Sequence, residues 1–238
     1  MQRSIRFTKR LIDLFISTTG VLCAAPLMSC IAIAIKTGSR GPIIYKQERA
    51  GMIPADSSKG GDSFWIYKFR TMVQDAEKTT GAVLASSRDP RVTRLGQLLR
   101  KTRLDELPQL FNVMKGEMSI VGPRPERPEI LRTLSSAIPF FEERMRLVKP
   151  GITGLAQIKL SYTGRLPENS ELGKLTDSLL NPYGLPETLN STADDMRVKL
   201  LFDLAYSASL EKFSSFLKTD LEIILKTPLV MFVDMSGQ

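Results

Sequence analysis

The longest feature of the hydrophobic pattern is an unbroken run. From Leu14 to Ile35 the chain reads LFISTTGVLCAAPLMSCIAIAI, 22 uncharged residues with Asp13 immediately before them. As a helix this run would cover roughly 33 Å, close to the hydrocarbon thickness of a bilayer, so the pattern predicts a membrane-inserted helix. Pro26 stands in its middle. Proline brings no N–H and clashes with the carbonyl one turn back, which predicts two arms separated by a break. Arg3, Arg6, Lys9 and Arg10 precede the run and Lys36, Arg40 and Lys46 follow it. Basic flanks favour the cytoplasmic side, so both ends are expected there, giving a re-entrant helix-break-helix hairpin over residues 1–38. The simpler alternative is one full span. A signal peptide fits less well, because the apolar core is long and no small-x-small cleavage site follows it before Lys36. LMSC at 27–30 resembles a lipoprotein box, but the residues after Cys30 stay apolar.

Beyond Gly41-Pro42 the pattern becomes that of a single domain, residues 39–238. Ile43–Tyr45 and Phe64–Phe69 are short strand candidates on either side of the polar loop PADSSKGGDS. Val92, Leu95 and Leu99 have helical spacing. Asp105 to Lys115 predicts a second helix with Asp105 as N-cap, Pro108 in the first turn and Gly116 as the stop. Phe141, Met145 and Val148 suggest a third, ended by Lys149-Pro150-Gly151. Residues 161–190 read as a long irregular loop. Phe213, Phe216, Leu217, Leu221, Ile224 and Leu225 form an apolar stripe that suits either a core or a membrane surface. The fold class expected is α/β with predominant helix.

Charge and composition narrow the chemistry. Lys and Arg outnumber Asp and Glu by 33 to 25, a net charge of +8, which favours a phosphate-bearing partner. The chain has no histidine, so His-based nucleophile pairs are excluded and carboxylates, Lys, Tyr or a metal must carry any reaction. Cys23 and Cys30 both lie in the apolar run, which leaves no disulfide framework and no Cys-rich zinc site. Asp105 and Glu106 are adjacent carboxylates close behind Arg100, Lys101 and Arg103. They suit the start of a helix, and they equally suit attack on phosphorus or a divalent cation held against a diphosphate. VGPRPERP holds Arg124 between two prolines in a stiff extended turn, the presentation that a bidentate grip on phosphate requires. YKFRTM puts Lys68 and Arg70 on one face of a strand, KPGITGLAQ brings glycines that admit a ligand to the backbone, and YTGR offers Arg165.

Together YKFRTM, DPRVTRLGQLLRKTRLDELPQLFNVMKGEMSIVGPRP and KPGITGLAQ resemble the bacterial sugar transferase family, the monotopic phosphoglycosyl transferases, in order across residues 3–165. The resemblance implies a catalytic domain on the cytoplasmic face of the bacterial inner membrane, carried by the re-entrant hairpin and by amphipathic interfacial helices. It implies a UDP-sugar donor, a polyprenyl phosphate acceptor, Mg2+ and an aspartyl-phosphosugar intermediate, in the first membrane step of polysaccharide or glycoconjugate assembly. Carried onto this chain, Asp105 is the nucleophile and Glu106 its partner at the metal. Arg100, Arg124 and Arg165 fall on phosphate-binding arginines, with Lys68 and Arg70 beside them. Pro26 is the helix break, although Ala25 precedes it where many members carry Ser. Asp203 and Tyr206 fall on a terminal D-x-x-Y pattern. Membrane lipid is an expected partner, nucleic acid is not, and a homo-oligomer is compatible with the sequence. The rival reading is a non-enzymatic anchored binder of anionic lipid or nucleic acid, which explains the basic residues but not the acidic pair among them.

Overall fold

The apolar run folds as one helix, α1 (Arg3–Gly38), with Pro26 inside it. Where two arms were expected, the secondary structure is uninterrupted, because a proline removes one bond, that to the Leu22 carbonyl, while its neighbours carry the helix past. The computed structural model describes residues 1–55, 61–74, 76, 89–160 and 191–236. Among these, α1 is long and apolar enough to cross a membrane by length and composition.

One stripe of α1 is buried, half-buried residues such as Ile12, Ile16 and Met28 border it, and the remaining face is exposed. Ile5, Lys9, Asp13 and Ser17 recur every fourth residue on the buried face, and Ile31 and Ile35 continue it, while Phe7, Phe15, Leu22 and Ile33 are exposed. This period places both ends of the helix against the rest of the chain. Ile5 joins the main core with Val113, Met118, Tyr206, Phe216 and Ile223, whereas Ile31 and Ile35 join Phe69 and Leu99 in a second one. Polar contacts pin both ends. Arg10 donates to the Val113 and Met114 carbonyls at 2.6 and 2.7 Å, Lys9 pairs with Asp220 at 2.7 Å, and Asp13 accepts from Ser119 Oγ and the Ile120 N–H. At the far end Arg70 donates to the Ser39 carbonyl and hydroxyl, both at 2.8 Å.

Two small sheets follow. β1 (Ile44–Ala50) and β2 (Ser63–Phe69) pair antiparallel, with Tyr45 opposite Lys68 and Gln47 opposite Ile66. β3 (Ser119–Val121) and β4 (Gly151–Thr153) pair in parallel. The strand foreseen at 43–45 is longer than its apolar residues, since Lys46 and Glu48 face water along the same ladder.

α2 (Arg94–Lys101) is capped by Thr93, whose hydroxyl accepts from the Gly96 N–H at 2.9 Å. Gly96 itself lies against the chain at Thr71, where a Cβ would come within 2.0 Å of the carbonyl oxygen. The helix expected over 105–115 is two elements instead, a 3-10 turn Leu104–Glu106 and α3 (Gln109–Lys115). Arg103 adopts a left-handed conformation (φ 57) and Pro108 interrupts the amide ladder, so Asp105 sits inside the turn and is not an N-cap.

After β3 come α4 (Pro128–Ala137), a 3-10 turn Phe141–Met145 where a helix was foreseen, and α5 (Leu155–Lys159). The chain closes with α6 (Ser191–Ser209) and α7 (Phe213–Ser236). The C-terminal stripe divides. Phe216 and Ile223 are in the core, while Leu217, Leu221, Leu225, Leu229 and Phe232 are exposed.

Candidate active site

The acidic pair lies where α2, β2 and the Pro-rich turn after β3 converge. Backbone strain marks the spot: a non-glycine residue in the left-handed region costs roughly 1–2 kcal/mol, and Arg103 adopts it directly before the turn that carries Asp105 and Glu106.

The two carboxylates have opposite surroundings. Glu106 Oε1 accepts from Lys68 Nζ at 2.8 Å and from Arg124 Nη2 at 2.7 Å, and Glu106 Oε2 lies 3.4 Å from Arg124 Nη1. Burial alone would push this carboxyl up, but Arg124 and Lys68 outweigh it and hold Glu106 well below the ordinary range. Asp105 is as buried as its neighbour, yet its Oδ1 has no hydrogen-bond partner among the described residues. Burial pushes the Asp105 carboxyl above the ordinary aspartate range and the adjacent Glu106 adds to that, against Lys68, Arg103 and Arg100. Glu106 Oε1 is therefore held by two cations, while among the described residues one oxygen of Asp105, Oδ1, has no donor. A buried acceptor oxygen without a donor costs free energy, which makes Asp105 a candidate for the reacting group.

The remaining candidates divide. Lys68 reaches the pair from β2 and Arg124 from the turn between β3 and α4. Arg100 donates through Nε to Thr71 Oγ1 at 2.8 Å and acts on Asp105 electrostatically. Arg70 is not in the site. It lies just past the end of β2, and its guanidinium turns to the last carbonyls of α1, where a cation meets the negative end of the helix. Arg165 lies outside the described residues.

Two further residues shape the site and were not singled out by the sequence. Asn112 is fully buried on α3; its Oδ1 accepts from the Tyr67 N–H at 3.0 Å and its Nδ2 donates to the Trp65 carbonyl at 2.7 Å. The amide thus takes the place of a neighbouring strand beside β2 and ties α3 to the strand that carries Lys68. Arg49 on β1 donates to the Pro125 carbonyl at 3.0 Å, and burial together with the nearby Arg124 lowers its guanidinium to about 10. A buried Asn inside an apolar helix pattern was the one available signal; Arg49 gave none.

A metal has limited protein support. Among the described residues no three His, Cys, Asp or Glu side chains converge. The oxygens open to a divalent cation are Asp105 Oδ1 and, by its single long contact, Glu106 Oε2. Such a pair suits magnesium, which commonly takes one or two carboxylates and completes its shell with substrate phosphates and water.

Comparison with known proteins matches the chain to a family. The family model described as bacterial sugar transferase matches residues 4–234. The chain is 37% identical over 221 residues to the UDP-N-acetylgalactosamine-undecaprenyl-phosphate N-acetylgalactosaminephosphotransferase of Aeromonas hydrophila, covering 93% of this chain and 43% of that protein. It is 43% identical over 154 residues to the UDP-glucose:undecaprenyl-phosphate glucose-1-phosphate transferase of Escherichia coli K12, covering 64% of this chain and 31% of that one. A Bacillus subtilis protein, provisionally named an undecaprenyl-phosphate N-acetylgalactosaminyl 1-phosphate transferase, is 48% identical over 137 residues, 58% of this chain and 72% of that one. The match spans less than half the length of the first two relatives.

Proposed function

The chain belongs to the bacterial sugar transferase family, and from that premise we propose that it moves a sugar 1-phosphate from a UDP-sugar to a polyprenyl phosphate through a covalent intermediate on Asp105. The observation that carries this reading is the asymmetry of the acidic pair. Asp105 keeps a buried carboxylate oxygen without a partner, beside a Glu106 already satisfied by Lys68 and Arg124.

In the first displacement Asp105 Oδ1 attacks the sugar-linked phosphorus, the bridging P–O bond breaks, and UMP leaves with that bond's electron pair. In the second, an oxygen of the polyprenyl phosphate attacks the phosphorus of the aspartyl phosphosugar, and the carboxylate is regenerated. No proton is gained or lost overall, which suits a chain without histidine. Arg124, Lys68 and Arg100 supply fixed positive charge where the diphosphate would lie, the main service a protein offers phosphoryl transfer. Magnesium, held by Asp105 or Glu106 together with the diphosphate, would neutralise part of that charge.

Membrane placement follows from α1. Both ends of the helix are tied to the same domain, at Arg10 and at Arg70, and the exposed apolar side chains Phe15, Leu22 and Ile33 of α1 lie between these ties. This supports a helix that enters the inner membrane without crossing it, bent at Pro26 so that both ends face the cytoplasm, as a proline within a continuous helix allows. A spanning helix would carry its two ends to opposite sides.

The test is an acceptor-free incubation with UDP-N-acetylgalactosamine or UDP-glucose and magnesium. About one UMP per active site is expected, with a phosphosugar adduct that maps to Asp105. An adduct on Glu106, or a fully active Asp105→Asn protein, overturns the assignment.

A further inference from the structure

The segment Pro123–Glu126 has few donors of its own, since Pro123 and Pro125 lack an N–H, yet all four of its carbonyls are taken. Pro123 accepts from the Gly151 N–H at 2.9 Å and Glu126 from the Ala50 N–H at 2.9 Å. Pro125 accepts from Arg49 at 3.0 Å, and Arg124 from Arg144 Nη2 at 2.9 Å. Four donors from β1, β4 and the 3-10 turn Phe141–Met145 thus hold one extended stretch. The Arg124 side chain projects from its centre to Glu106.

Arg144 is the unusual member. Its side chain is 0% exposed, and a guanidinium so placed is costly unless counter-charges meet it. Asp203 on α6 accepts from its Nε at 2.8 Å and from Nη2 at 2.7 Å, and Glu126 Oε1 lies 3.5 Å from Nη1. Glu126 is paired with Lys199 as well. Left-handed residues, Phe140 (φ 62) and Leu147 (φ 59), flank the short turn that carries Arg144, so its backbone is held in a strained path. A residue that merely pinned α6 to the core would need only the Asp203 contacts. The second hydrogen bond from the same Nη2, to the Arg124 carbonyl, is what such a pin does not require.

We propose that Arg144, held by Asp203, is a positioning residue for the transfer reaction, fixing the backbone of Arg124 so that its guanidinium stays over Glu106 and the donor diphosphate. The inference rests on the reading of Arg124 as a phosphate ligand. Lys at position 144 keeps the charge but cannot reach Asp203 and the Arg124 carbonyl with one planar fork.

The experiment measures UMP release and donor KM, with undecaprenyl phosphate and the two UDP-sugars above, for Arg144→Lys, Arg124→Ala and the double variant. Arg144→Lys is expected to lower the rate about tenfold or more and to raise the donor KM, as Arg124→Ala does, because a small misplacement of a phosphate ligand is expensive. On the Arg124→Ala background it should cost less than about twofold further, since the two act as one unit. A rate within about twofold of wild type overturns the proposal, and so does a loss at unchanged KM that multiplies in the double variant. If Arg144→Lys does not fold, Asp203→Asn takes its place with the same expectations, and failure of both to fold marks a core pin. Wild-type activity in Arg124→Ala would instead remove the premise, and absence of UMP release by the wild type would remove the function.

Discussion

Replacing Glu106 by Gln and Asp105 by Asn, one at a time, should have opposite consequences for stability although both abolish turnover. Glu106→Gln keeps an oxygen where Lys68 and Arg124 donate at 2.8 and 2.7 Å but removes its charge. A hydrogen bond to an ionised partner contributes roughly 1 kcal/mol more than a neutral one, so two such bonds lose about 2 kcal/mol. The Lys68 charge left in a mostly buried place adds up to about 1 kcal/mol, while Arg124, more exposed, relaxes into water. A total near 2–3 kcal/mol lowers the midpoint of thermal unfolding by about 4–12 °C for a chain of this size. Asp105→Asn has no hydrogen bond at Oδ1 to lose and relieves a buried charge, so its midpoint should stay within about 4 °C of wild type or rise. The measurement is a thermal scan at fixed rate in one detergent at pH 7.

The sign with pH is also set. Glu106, depressed in the folded state, contributes stability that is present above its ordinary pKa and lost as pH falls through the lowered value. Asp105, raised, works the other way, and the fold gains stability as pH falls through that raised value toward 3.8. The variants should therefore converge in acid, beginning from the Asp105 side. If Asp105→Asn were the more destabilised of the two at pH 7, the division of roles between the carboxylates would be wrong.

Three further outcomes are expected. UMP release should fall in acid with an apparent pKa above 3.8, because burial raises Asp105 and only its ionised form attacks; a profile flat down to that value would contradict the assignment. Arg70→Met should speed proteolysis around Lys36–Arg40 and leave the donor KM unchanged, whereas a raised KM with unaltered proteolysis would return Arg70 to the donor site. With Cys23 and Cys30 replaced, probes at residues 2 and 40 should both be labelled from the cytoplasm, and Pro26→Leu should shift the protein toward labelling from opposite sides.

Much of the site was legible in the chain because its signals are local. An acidic pair behind a cluster of arginines, and an arginine between two prolines, mark a candidate phosphate-handling site without a fold, and a chain without histidine cannot activate Ser or Cys through an imidazole. The apolar run likewise declares, by length and composition, a helix able to cross a membrane. What lay beyond the sequence depends on contacts between residues far apart in it. Lys68 and Arg70 stand two positions apart and carry the same charge, yet Lys68 meets Glu106 while Arg70 ends up at the C-terminus of α1. Alternation predicts a shared face, but β2 stops at Phe69, and past its end the side chain turns to the carbonyls at the end of α1. Asp105 and Glu106 were indistinguishable as letters. The tertiary structure separated them, because two cations arriving from residues 38 and 18 positions away settle on Glu106 Oε1, while among the described residues no donor reaches Asp105 Oδ1.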